Sequence, residues 1–122
     1  GDGEQIRNWT YVDDIVSGTI AAAEKIHDGT SINLGTMERI RVMDCAKQVI
    51  DTLNPGATVK LLTDKPTGPL NRVASNALAK ELLDWIPQTT FSEGLQKTID
   101  WYVASKTTKQ ATADLARKLV GR

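Results

Sequence analysis

One cysteine, Cys45, and one histidine, His27, are all that these 122 residues hold of either type. A lone cysteine excludes an internal disulfide and any multi-cysteine zinc or iron–sulfur site. His27 has no carboxylate or cysteine cluster around it at ligand spacing and no partners for a catalytic triad, so neither metal nor triad chemistry is expected. No apolar run approaches the ~20 residues that cross a bilayer. The opening Gly1-Asp2-Gly3-Glu4 does not read as a signal peptide, so a soluble, cytoplasmic protein with no membrane partner is expected. Net charge is also missing, with 15 Lys and Arg against 15 Asp and Glu. That balance leaves no basic excess for counterion release, and nucleic acid is not an expected partner. A small anionic ligand held by a few placed arginines remains compatible with it. The chain has neither Gly-x-Gly-x-x-Gly between a strand and a helix nor a Walker-type Gly-Lys-Ser/Thr. Nothing in it wraps a dinucleotide pyrophosphate in the usual way, and no cofactor site is expected in this chain itself.

What is present is an ordinary globular composition, 40% hydrophobic and 25% charged, in a chain of one domain's length. A chain of this size buries about 65% of its unfolded surface, enough for a core without staples. Gln5 to Val12, behind a Gly-Asp-Gly turn, reads as a short extended stretch. Asp13 and Asp14 then fall where a helix begins, and Ile15, Val16, Ile20, Ala23 and Ile26 recur at helical spacing. His27 is expected in the last turn and Gly29 just beyond it. Ser31 to Gly35 reads as a buried strand, and Val42 to Leu53 as an amphipathic helix stopped by Asn54-Pro55-Gly56. Cys45 lies on the apolar stripe of that helix, where a small buried hydrophobe is expected. Thr58 to Leu62 reads as a strand, and Thr63 to Leu70, with Pro66, Gly68 and Pro69, as an irregular loop. Asn76 is placed to cap a third helix ending near Trp85-Ile86-Pro87. Ser92 and Glu93 open a fourth, with Leu95, Ile99, Tyr102 and Val103 on one face. The pattern is α/β, with more helix than strand.

The remaining signal is cations beside loops. Arg7 lies next to Trp9, and Lys65 and Arg72 flank the loop from Pro66 to Pro69. Loops held on a scaffold are good places for ligand contacts, and the planar guanidinium suits phosphate oxygens. The bland reading of each is a solvated surface charge.

Four stretches, in order, resemble the C-terminal region of extended short-chain dehydrogenases/reductases, the NAD-dependent nucleotide-sugar epimerases and dehydratases. Gly1-Asp2-Gly3 through Arg7-Asn8-Trp9-Thr10-Tyr11-Val12-Asp13-Asp14 is similar to that family's Gly-Asp-Gly…Arg-Asp-Phe…Tyr-Val-x-Asp segment. Ile32-Asn33-Leu34-Gly35 resembles its Asn-Leu-Gly strand. Arg72-Val73-Ala74-Ser75-Asn76 with Leu82-Leu83-Asp84-Trp85-Ile86-Pro87 resembles Arg-x-x-Asp…Leu-Gly-Trp-x-Pro. Gly94 to Tyr102 is similar to the closing helix. The match runs from Gly1 to about Lys106. Asn8 and Ser75 stand where the family has aspartate, and Asp84 where it prefers glycine.

The resemblance implies a small substrate-binding lobe, residues 1–106, that lacks the Rossmann domain lying upstream in such enzymes. It implies a parent enzyme that binds a nucleotide-diphosphate sugar between this lobe and that domain. NAD, held by the Rossmann domain, would oxidise the sugar transiently. The isolated chain is then expected to be inactive. Arg7 and Arg72 fall where the family places phosphate-binding cations, and Lys65 where it often has arginine. Tyr102-Val103-Ala104-Ser105-Lys106 spells Tyr-x-x-x-Lys, the family's catalytic pattern. It lies in the closing helix, where core packing for Tyr102 and a solvated Lys106 are expected. A non-catalytic interaction module with the same fold is the alternative, motivated by Asn8, Ser75 and a tail beyond the family's usual end. That tail, residues 107–122, carries Ala111, Leu115, Leu119 and Val120 at helical spacing. Packing on this lobe, pairing with a second chain as a homodimer, and a frayed end all remain open for it.

Overall fold

The computed structural model describes residues 1–106 and residue 110. The expectation for a helical or frayed tail therefore lies almost wholly outside the described residues. Among the described residues seven elements follow in chain order: β1 (Ile6–Arg7), α1 (Val12–Lys25), β2 (Ile40–Arg41), α2 (Val42–Leu53), β3 (Asn71–Arg72), α3 (Ala77–Leu83) and α4 (Phe91–Ser105). Helix outweighs strand, as the composition of the pattern requires.

The sheet is small, with each strand two residues long and the order β2-β1-β3. β1 is its centre. It runs antiparallel to β2, with Ile6 opposite Arg41 and Arg7 opposite Ile40. It runs parallel to β3, with Ile6 beside Asn71 and Arg7 beside Arg72. The Ile6 amide donates to the Leu70 carbonyl at 2.7 Å, which extends the β3 pairing into the preceding loop.

The core lies where α1, α3 and Trp85 meet. Ala79, Leu83 and Trp85 are buried there, with Ala21, Ala22, Ile26, Ile32 and Leu34 packed against them. α1 reaches this core through its small residues. A Cβ on Gly18 would stand 2.7 Å from Leu34 Cδ2 and 3.0 Å from Trp85 Cε2, so only glycine admits the approach. This corrects the hydrophobic pattern, because Val16 and Ile20 lie on the exposed side of α1. Helical spacing identifies a stripe, but the packed face is chosen by which residues let two backbones come close.

Polar groups finish the same region. Asp14, buried, accepts from the Gln88 and Thr89 amides, each at 3.0 Å. It is thus a clamp on the 88–89 turn; the N-cap position of α1 is Tyr11, with no side-chain cap bond. Trp85 Nε1 donates to Ser17 Oγ at 3.0 Å, and Lys25 Nζ to the Leu83 carbonyl at 2.7 Å. α1 ends at Lys25, two residues short of His27, so exposed His27 lies past the helix, and Gly29 takes φ +79° beyond it. α4 begins at Phe91, one residue before Ser92, with a complete capping box at Thr90 and Glu93. The Thr90 hydroxyl and amide hold the Glu93 carboxyl below its ordinary range.

Two expected strands do not form. Residues 31–35 have no ladder partner, and 58–62 are exposed and outside any strand. The Gly35–Thr36 turn is tied instead by side chains. Asn76 Nδ2 donates to the Gly35 carbonyl at 3.0 Å, Thr10 Oγ1 accepts from the Thr36 amide at 3.1 Å, and Asn8 Nδ2 donates to the Thr36 carbonyl at 3.1 Å. These three bonds satisfy the backbone groups that a strand partner would have taken.

Candidate functional site

The sheet brings two of the three candidate cations together. Arg7 and Arg72 are register partners on adjacent parallel strands, so their side chains leave the same face about 5 Å apart at the backbone. The Arg7 guanidinium lies over the Pro/Gly loop. Its Nη1 donates to the Ile6 carbonyl at 2.7 Å, and a methyl group on Gly68 would sit 3.8 Å from its Nη2. Gly68 takes φ +70°, a turn that glycine makes without strain. Arg72 is exposed beside it.

Neither arginine has a carboxylate partner within ion-pair distance among the described residues. Arg41 on β2 shows the contrast. It bonds Asp44 through both Nε and Nη2 at 2.9 Å and reaches Glu4 at 3.5 Å. Asp44 first, then Glu4, raises its already high pKa, and Arg41 in turn lowers that of Asp44. Arg41 is neutralised in place, whereas Arg7 and Arg72 form a like-charged neighbouring pair. Such pairs are unfavourable on a sheet and become favourable when an anion lies between them. Lys65 is not drawn into this pair; it is exposed and sits 3.6 Å from Asp64.

The two departures from the family's aspartates, Asn8 and Ser75, have structural occupations. Asn8 donates an N–H to the Thr36 carbonyl, which an ionised aspartate could not do. Its amide nitrogen also stands 2.8 Å from where a Cβ on Gly35 would be, so Asn8 and Gly35 fit one another. Ser75 Oγ accepts from the Ala77 amide at 3.3 Å at the start of α3.

The other sequence candidates fall elsewhere. No group of three or more His, Cys, Asp or Glu is placed to hold a metal ion among the described residues. Tyr102 is exposed and does not pack in the core, and Val103, expected on the packed face with it, is exposed too. Cys45 is half-buried, with burial pushing its thiol pKa up. It lines an apolar groove of about 600 Å³ together with Trp9–Val12 and with Phe91, Leu95, Thr98 and Trp101 of α4. Sequence reasoning missed this groove, although a tryptophan beside a strand and another on a helix were both visible.

Among the described residues, a three-stranded sheet carrying paired cations, with α2 against it, and three further helices make up a small α/β lobe, and its similarity to known proteins places it in the extended short-chain dehydrogenase/reductase class. Its backbone superimposes on UDP-glucose 4-epimerase from Thermotoga maritima with UDP-glucose, at a TM-score of 0.79 and 28% identity. That match covers 86% of this chain and 34% of the epimerase. UDP-glucuronic acid 4-epimerase from Bacillus cereus, in complex with UDP-glucuronic acid and NAD, matches at a TM-score of 0.74 and 33% identity, over 83% of this chain and 33% of that one.

The chain belongs to the GDP-mannose 4,6-dehydratase family, which its residues 1–98 match. dTDP-glucose 4,6-dehydratase of Escherichia coli is 30% identical over 93% of this chain, and UDP-glucuronic acid decarboxylase 1 of Arabidopsis thaliana is 33% identical over 81%. The chain spans 35% of the former and 22% of the latter.

Proposed function

We propose that this lobe binds the diphosphate of a nucleotide-diphosphate sugar, with Arg7 and Arg72 as its principal cations and Lys65 a lesser one. The reading rests on one observation above all: two arginines in register on neighbouring strands, one of them over a glycine turn, with no carboxylate between them. A guanidinium–phosphate contact contributes roughly 1.5–3 kcal/mol, far more than a solvated charge. Relatives that bind UDP-sugars and NAD support the choice of anion.

In this reading the substrate lies between the lobe and an NAD-holding Rossmann domain of the same protein, which epimerises or dehydrates the sugar. NAD would supply transient oxidation of the sugar. The described residues do not fit that cofactor: their strands are two residues long, and no glycine-rich turn joins one to a helix. The role of this chain's residues is to bind and orient the diphosphate, with the acid and base groups supplied from elsewhere. Val16 and Ile20, exposed side by side on α1, offer an apolar seat for the second domain.

The test is Arg72→Ala in the protein carrying both domains, with nucleotide-sugar affinity measured by calorimetry. Affinity should fall about ten- to a hundredfold, with NAD content and thermal stability unchanged. A change below about twofold, on the same affinity scale, would overturn the assignment.

A further inference from the structure

We propose that the pairing of β3 with β1 is coupled to anion binding. The segment from Asn54 to Arg72 closes onto the sheet when a diphosphate lies between Arg7 and Arg72, and lifts from it when none does. This deepens the diphosphate reading above and rests on it.

The ladder concerned is short. Asn71 and Arg72 lie in register with Ile6 and Arg7, and the bond from the Ile6 amide to the Leu70 carbonyl at 2.7 Å carries the pairing one residue further. Parallel pairing is the less stable kind, and a pair of strands holds in water only when side chains are buried on it. That burial is missing here. Every residue from Asp51 to Arg72 is exposed, the apolar Val59, Leu61, Leu62 and Leu70 included. Bonds within the segment are local, from the Ala57 amide to the Asn54 carbonyl and from the Lys65 amide to the Leu62 carbonyl. Away from the ladder, the Gly1 amine reaches the Leu62 carbonyl. Beyond its far end the chain is firmly held, because Val73 and Ala74 are half-buried and Asn76 bonds the Gly35 carbonyl at 3.0 Å. The segment can therefore leave β1 without uncovering a buried side chain of its own.

Charge sets the balance between the two positions. Closing brings two guanidinium groups onto neighbouring strands, with no carboxylate at ion-pair distance from either among the described residues. Like charges placed so destabilise a strand pair. The opposite edge of β1 is built the other way. Arg41, across from Ile6, is neutralised by Asp44 and Glu4. The Val42 and Met43 amides also bond the Gln5 and Gly3 carbonyls at 2.9 Å, so β1 keeps its place on β2 and α2 in either position of β3. A diphosphate between Arg7 and Arg72 replaces the repulsion with charge-assisted contacts to both strands. An anion that needs both strands binds the closed form and draws the equilibrium toward it. The site is thus completed by its own ligand, and the apparent affinity includes the cost of closing.

Amide exchange at Ile6 reads the ladder directly, since this N–H is bonded to Leu70. In the 122-residue chain without added anion, Ile6 should exchange much faster than the Thr89 amide, which buried Asp14 holds. Sodium pyrophosphate at about ten times its measured Kd should slow Ile6 by about tenfold, because closing gains the factor 1 + [L]/Kd. Sodium chloride at equal ionic strength should not. Arg72→Gln removes the like charge, so Ile6 should exchange about twofold more slowly in the anion-free variant and should no longer respond to pyrophosphate. Calorimetry on the same samples separates the two readings. Pyrophosphate binding that leaves Ile6 exchange unchanged would overturn the coupling and leave the diphosphate site standing, as would an Ile6 amide as slow as Thr89 in the anion-free chain. Neither binding nor slowing would overturn the diphosphate reading as well.

Discussion

Around α1, α3 and the 84–90 turn each buried polar group is answered from another part of the chain, whereas from Asp51 to Arg72 every residue is exposed. Asp14 takes two amides, Trp85 gives its N–H to Ser17, and Lys25 closes the end of α3. The Pro/Gly loop has no comparable ties. Its link to the fold is mostly backbone, through the Leu70 carbonyl and the β3 pairing. One half of the lobe is built to stay put. The other presents backbone and cations on a short ladder, so substitutions in the two halves should differ sharply in what they change.

The largest effect belongs to Trp85→Ala. The indole is 7% exposed, packs on Gly18 and donates to Ser17. Its loss should lower unfolding free energy by about 3–5 kcal/mol in urea titration. A loss below about 1 kcal/mol would mean that the α1–α3 half is no better packed than the loop, since surface changes alone reach such values. Asp14→Ala should come next, at about 1–3 kcal/mol, because the Gln88 and Thr89 amides lose their acceptor in a buried place. Smallest is Leu70→Ser in the open half. That side chain is 65% exposed, and its carbonyl bond to Ile6 survives any substitution. Its cost should stay within about 0.5 kcal/mol, and a larger one in the same titration would show that the loop packs more firmly than its exposure indicates.

The four helices were legible in the sequence because each carries eight or more residues of pattern or a firm boundary, such as Asn54-Pro55-Gly56 after α2. The strands were not. Two residues leave no alternation to read, and β2 and β3 exist only because β1 lies between them. Residues 31–35 and 58–62 show the reverse case, apolar runs with strand character and no partner at hand. Asp14 was visible as an acid at a helix start, and local rules assign such a residue to capping. Its actual partners lie 74 and 75 positions away, and no local rule reaches that far. Arg7 and Arg72 were each legible as cations near loops through the family pattern. Their adjacency was not, since register across a parallel pair is a property of the assembled sheet.

The knot at Gly35–Thr36 has a consequence for the order in which the molecule assembles. Its three hydrogen bonds join residues 28, 26 and 41 positions apart, and the β3 pairing spans more chain still. Closing loops of that size costs entropy before any contact rewards it. α1 and α4, by contrast, need only neighbours within a few turns. The arginine pair is therefore expected to form late in folding, after the local helical turns, which pulsed hydrogen exchange would check as later protection of the Ile6 amide than of amides within α1 and α4.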